Sequence, residues 1–237
     1  MKKLTFSLLF FFSALVVNAQ SAPTKTVLNE ATVVRGEDGM VYPYAVWRKL
    51  MQTGKYAIKN RKTVTDSGKP EYLIYKLNEE EKVAYFNRMP KPKPSESFKE
   101  EDEFKGFKVT DINGNKFDLK TAKDKVIVLN FWFINCPPCR QKIPQLNELV
   151  AAYKDNPDVI FLAIATDSKY ELNNFLKSNP YAYNVVDGGR YIADKFNVRL
   201  YPTHVVVNNG KIKFSTVGLA PNTIHWIKKS IDEALAK

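Results

Sequence analysis

Apolar and polar positions change rhythm near residue 104. Before it, short β-branched and aromatic runs alternate with brief helical patterns. Thr32-Val33-Val34, Tyr56 to Lys59 and Tyr72-Leu73-Ile74-Tyr75 read as strands. Tyr44 to Met51 suits a short helix. Asn78 ahead of Glu79, Glu80 and Glu81 is an N-cap with acid in the first turn, and Val83 and Phe86 give that helix an apolar side. Tyr42, Tyr44 and Trp47 form an aromatic cluster that suits a small core better than a binding surface. Residues 20–90 therefore read as a small α+β domain without a catalytic constellation. Pro90, Pro92 and Pro94 then break the pattern and favour an extended segment, and Glu100-Glu101-Asp102-Glu103 follows. Residues 91–103 read as a Pro/Lys/Glu-rich linker.

From 104 the pattern is regular. Phe107 to Ile112 and Lys116 to Leu119 flank Asn113-Gly114, a strong hairpin signal. Val126 to Phe131, apolar but for Asn130, and Val159 to Ala165, apolar throughout, read as strands buried on both faces. Between them Ile143, Leu146, Val150 and Tyr153 recur at helical spacing, with Pro144 a kink. Glu171 to Leu176 and Tyr191 to Phe196 suggest further helices. His204 to Val207 is a strand, Asn208-Asn209-Gly210 a tight turn, and Lys211 to Thr216 the returning strand. Ile224, Ile227, Ile231 and Leu235 stripe a terminal helix. This order predicts an α/β domain over 104–237 with a mixed sheet.

Composition is that of a globular protein. The formal charge of +11 is spread along the chain without a long Lys/Arg run, so it predicts a basic surface and no nucleic-acid partner. The first nineteen residues read as a signal peptide. Lys2 and Lys3 precede the apolar run Leu4 to Val17, and Val17-Asn18-Ala19 suits cleavage after Ala19. The run is short for a bilayer span. The expected location is the periplasm, or otherwise outside the cytoplasm, with a mature form that does not span a membrane.

The chain has two cysteines, Cys136 and Cys139, at C-x-x-C spacing between the first apolar strand and its helix. That junction suits a redox-active dithiol. A thiolate is the attacking species, and a helix N-terminus favours negative charge. Pro137 fits the first helical position because it has no N–H to leave unpaired. Zinc would require more ligands than this pair offers, and the two histidines, His204 and His225, are distant in sequence. Haem attachment would place histidine after the second cysteine, where Arg140 stands. An inert disulfide closing so short a loop would stabilise little. No metal and no cofactor is expected.

With these motifs in order, the region from about 104 to 237 resembles the thioredoxin superfamily, and within it the exported TlpA/ResA-like thiol–disulfide oxidoreductases. The resemblance rests on the Asn113-Gly114 hairpin, Val128 to Trp132 leading into Cys136-Pro137-Pro138-Cys139, Pro144, Tyr201-Pro202-Thr203 ahead of an apolar strand, and Asn209-Gly210 after it. It implies a thioredoxin fold, a central mixed sheet flanked by helices. It also implies Cys136 as nucleophile, Cys139 as resolving thiol, a cis Pro202 against the pair, Tyr201 presenting backbone to an extended substrate, and Trp132 beneath the site.

The chain departs from that family in three places. Asn135 stands where tryptophan commonly precedes the first cysteine. Asn130 occupies the place of thioredoxin's buried acid. Lys142 occupies the place of a glutamate found in many ResA-like proteins. A nearby ammonium favours a thiolate, so Lys142 predicts a lowered Cys136 pKa. The implied partners are exported proteins bearing thiols or disulfides, with a membrane protein as electron donor and a reductive direction. Two other readings stay open: a redox-sensing or partner-binding module, and a peroxidase of peroxiredoxin type. The latter class places threonine where Phe133 stands.

Overall fold

The structure, a computed structural model, describes residues 27–236, so the signal peptide and its cleavage point lie outside the described residues. The described residues begin with β1 (Val33–Arg35), β2 (Val41–Tyr42), α1 (Tyr44–Gln52), β3 (Tyr56–Val64), β4 (Pro70–Lys76) and α2 (Glu79–Arg88). Its strands form a four-stranded sheet in the order β2-β1-β4-β3, with β1 parallel to β4. Val34, Trp47, Tyr72 and Ile74 are its buried cluster, and Tyr44 meets Trp47 edge-on at 4.9 Å. The aromatic cluster is thus core, with Tyr42 and Tyr44 at its margin. Asn78 caps α2 in a reciprocal box: its side chain accepts from Glu81 N–H, and Glu81 accepts from the Asn78 N–H.

A two-stranded hairpin, β5 (Lys108–Thr110) and β6 (Lys116–Asp118), precedes the main sheet. The sheet contains β7 (Val126–Trp132), β8 (Val159–Ala165), β9 (Asn184–Val186), β10 (Thr203–Asn208) and β11 (Lys211–Val217), in the spatial order β11-β10-β7-β8-β9. β7 runs parallel to β8 and antiparallel to β10. It is buried on both faces, which is why it is almost wholly apolar. Strand alternation sends Val126, Val128 and Trp132 to one layer and Ile127, Leu129 and Phe131 to the other. The first layer is covered by α3 (Pro137–Ala152) and α6 (Thr223–Leu235); α4 (Lys169–Leu176) adds Leu172. The second takes Ile192 and Ala193 from α5 (Arg190–Lys195). Asn209 and Gly210 both take positive φ, 52° and 70°, as a two-residue turn with right-handed strand twist requires.

Residues 91–95 are extended, as their prolines suggest, and bends and a turn follow over 96–102, yet the stretch is bonded along its length. Val217 N–H donates to Lys93 O, Glu101 N–H to Ile212 O, and Phe104 N–H to Gly210 O. Phe98 is 1% exposed and stacks on Phe131 at 5.6 Å. The stretch read as a linker therefore lies along β11 and fills part of the second layer.

The N-terminal sheet and helices meet α3 and α6. Lys55 Nζ lies 2.6 Å from Glu148 Oε1, His225 Nε2 is 3.0 Å from Asn87 Oδ1, and Asn222 donates to Pro90 O at 3.0 Å. Gln141 also bonds Gln52. A cleft of about 540 Å³ opens beside this seam, with Val83, Phe86, Leu149 and Ile224 among its apolar lining.

Candidate active site

The site is built at the carboxyl end of β7. Phe133 leaves the sheet, Cys136 N–H donates to Phe133 O at 3.2 Å, and Ile134 N–H donates to Asp167 Oδ2 at 2.9 Å. Asp167 lies just past the end of β8 and fixes the loop that delivers the cysteines. Its carboxyl is raised above the usual range, chiefly by burial.

Cys136 is the N-cap of α3, and Pro137 and Pro138 occupy its first turn without N–H groups to leave unpaired. Cys139 N–H donates to Cys136 Sγ at 3.3 Å. The two cysteines form a disulfide, with Cα atoms 5.2 Å apart. Both sulfur-bearing residues are almost covered, at 3% and 1% exposure, while the flanking Asn135 and Pro137 are exposed. The pair thus lies just below the surface at a helix N-terminus.

Trp132 is fully buried in the cluster that contains both cysteines, against Phe175 at 5.8 Å and Tyr181 at 5.4 Å. The Tyr201–Pro202 peptide bond is cis. Tyr201 meets Phe133 edge-on at 5.3 Å, so the proline turn and the cysteine loop touch. The β10 ladders begin only at Thr203, after that turn.

Lys142 is 1% exposed, one turn beyond Cys139, and does not point to water. Its ammonium donates to Gln145 Oε1 at 2.9 Å, and burial brings its pKa down to about 8. Beneath it lies a polar group that the sequence did not announce. His204 pairs across the ladder with Asn130, so both side chains face the α3 layer. Neither ring nitrogen of His204 has a partner among the described residues. Burial first, and the Lys142 charge second, lower its pKa to about 3. Asn130 donates to the Tyr181 hydroxyl at 2.8 Å, while its Oδ1 has no partner among the described residues.

Asp167, His204 and Gln145 are the site residues that sequence reading missed. An acid just beyond an apolar strand was a usable signal, because sites in α/β sheets gather outside strand carboxyl ends. His204 was visible two residues after Pro202 but entered only as a strand residue and a discarded zinc ligand. Among the described residues, no three His, Cys, Asp or Glu side chains gather into a metal-binding group.

The AhpC/TSA family profile matches residues 101–215, a span that holds the hairpin, both cysteines and the cis proline. The thiol-disulfide oxidoreductase ResA of Bacillus subtilis (strain 168) is 31% identical over 133 residues, covering 55% of this chain and 74% of that protein. The chain belongs to the ResA-like branch of the thioredoxin superfamily. A second ResA, from Bacillus cereus, is 33% identical over 114 residues, covering 47% of this chain and 66% of that relative's length. Among solved structures, one from Chlorobium tepidum, described as a candidate thiol:disulfide interchange protein DsbE, shares 26% identity. It has a TM-score of 0.52 over 58% of this chain and 99% of that one. A solution structure from Bacteroides thetaiotaomicron, described as a candidate protein disulfide isomerase, reaches a TM-score of 0.55 at 22% identity, over 62% of this chain and 96% of that one. The latter likeness shows the fold. The ResA-like fold thus accounts for the main sheet and the cysteine helix.

Proposed function

We propose that this ResA-like protein exchanges thiols and disulfides with exported protein partners through Cys136 and Cys139, in the reductive direction. The observation that carries the reading is the disulfide at the N-terminus of α3, beside a cis-proline turn. In the reduced state the Cys136 thiolate attacks a partner disulfide, and one partner sulfur leaves as a thiolate that takes up a proton. Cys139 then loses its proton and attacks Cys136 Sγ. The second partner thiolate departs, and the Cys136–Cys139 disulfide re-forms. Two electrons have passed to the partner, and a dithiol donor, a membrane protein in this proposal, must return them.

The N-cap geometry supports the first step, since Cys139 N–H already points at Cys136 Sγ. Unladdered backbone at Tyr201 suits pairing with an extended partner segment. Export is supported by the charged start and apolar run of residues 1–19. No helix among the described residues is long and apolar enough to cross a membrane. A sensing module would share this geometry without turnover, and a peroxidase would consume peroxide.

Reduction of a protein disulfide under a thiol donor tests the reading. The wild-type protein is expected to turn over, Cys136→Ser to be inactive, and Cys139→Ser to accumulate mixed disulfides with its partner. Binding without turnover would leave the sensing module. The reduction potential settles direction: a value near or below about −270 mV supports a reductant, whereas one near about −120 mV would make the protein an oxidant.

A further inference from the structure

We propose that Gln145 is a positioning residue that holds the Lys142 ammonium beside the cysteine pair, and that the turn after α1 in the N-terminal unit holds Gln145. The proposal deepens the redox reading above and rests on it.

Lys142 is the only buried cation among the described residues. It follows Cys139 by one helical turn, the spacing at which side chains on one helix face are neighbours. Its sole acceptor among the described residues is Gln145 Oε1. The other end of that amide is committed elsewhere: Gln145 Nε2 donates to Gln52 O at 3.3 Å and to Thr53 O. Those carbonyls belong to a turn with bonds of its own. Thr53 N–H and Oγ1 both donate to Leu50 O, at 3.1 and 2.6 Å. Gly54 takes φ +67°, which reverses the chain, and a Cβ there would come within 3.6 Å of Gln145 Nε2. The Lys55–Glu148 pair closes the seam on the next turn of α3. A connected series of hydrogen bonds therefore runs from residues 52–53 through Gln145 to Lys142, which stands one helical turn from Cys139.

The amide can serve because it both accepts and donates. A buried ammonium without an acceptor gives up its proton rather than bear the desolvation cost. With the proton goes the positive charge that favours a thiolate. Other titratable groups on the surrounding elements do not substitute for it. His204 on β10 is held neutral by burial, and burial likewise raises the phenols of Tyr181 and Tyr183. Lys55 and Glu148 pair with each other, and His225 on α6 bonds Asn87.

A double-mutant cycle tests this on the full chain. The reduced protein is alkylated with iodoacetamide across pH 5–9 for wild type, Gln145→Leu, Lys142→Met and the double variant. Each single change is expected to slow alkylation at pH 7 by about tenfold, the size of one pKa unit, and to move the profile to higher pH. The double variant is expected to be no slower than Lys142→Met alone. A Gln145→Leu profile matching wild type, or effects that simply multiply, would overturn the role of Gln145.

Hydrogen exchange tests the N-terminal half, because coupling between sites is reciprocal. Backbone amides from Thr53 to Tyr56 are expected to exchange at different rates in oxidised and reduced wild type, and at equal rates in Gln145→Leu. Equal rates in wild type would overturn that half. Alkylation and exchange require no partner turnover. Failure here with disulfide reduction intact would sink only this inference, whereas absent turnover would sink the redox reading.

Discussion

His204 shows how one residue can cost stability while resting inside a well-packed site. It is fully buried with both ring nitrogens unpartnered among the described residues, and its folded pKa of about 3 lies below the ordinary value near 6.5. The unfolded chain therefore binds the extra proton between those values. Stability is fully present above about pH 6.5 and is lost as pH falls toward 3. Between pH 7 and 5 the expected loss is about 2 kcal/mol. His204→Leu removes the titration, so its urea midpoint is expected to change much less over that interval. A small slope remains from His225, whose pKa is also lowered, first by burial. An equal slope in both proteins would show that His204 is solvated or paired.

At the scale of elements, α3 has two jobs on two faces. Its first turn carries the disulfide, and its inner face seats Ile143, Leu146 and Leu149 on β7 and β8. Leu146 is fully buried at the middle of that contact. Leu146→Ala is expected to cost about 2–5 kcal/mol in urea unfolding, through lost transfer energy and the cavity left behind. A cost below about 1 kcal/mol would mean that the layer closes over the gap. Pro144 sits on the exposed side of the same helix, where its missing N–H disturbs only the outer hydrogen bonds.

Across the whole molecule the two parts are unequal. The N-terminal sheet has a buried cluster of four residues, Val34, Trp47, Tyr72 and Ile74. The thioredoxin-like part has two large clusters, one on each face of its sheet. So small a core gains little from burial, and the seam that supports it is mainly polar. The N-terminal unit is expected to open first. With Trp132 and Trp226 replaced by Phe, Trp47 is the remaining tryptophan of three. Its fluorescence is expected to change at lower urea than the far-ultraviolet circular dichroism of the whole chain. Coincident transitions would show that the seam binds both parts into one cooperative unit.

The sequence by itself determined the local layout. Asn209-Gly210 demanded a turn with positive φ at both central residues. The long apolar runs of β7, broken only at Asn130, and of β8 marked strands buried on both faces. Cys136-Pro137-Pro138-Cys139 between strand and helix placed a thiol pair at a helix start. Each of these depends on neighbours within a few positions, where backbone sterics and periodicity act directly. β2 escaped because two residues have no period to read, and the three-residue β9 escaped with it. Only the tertiary structure decided what lies around the cysteines. Strand pairing set His204 opposite Asn130, 74 residues apart in number, and packing of α1 against α3 brought Thr53 to Gln145, 92 residues apart. Residues 91–103 found their partners along β11, more than 100 positions away. Whether Lys142 faced water or the core followed from those long-range contacts, because a helix pattern gives a residue its face and not what that face meets.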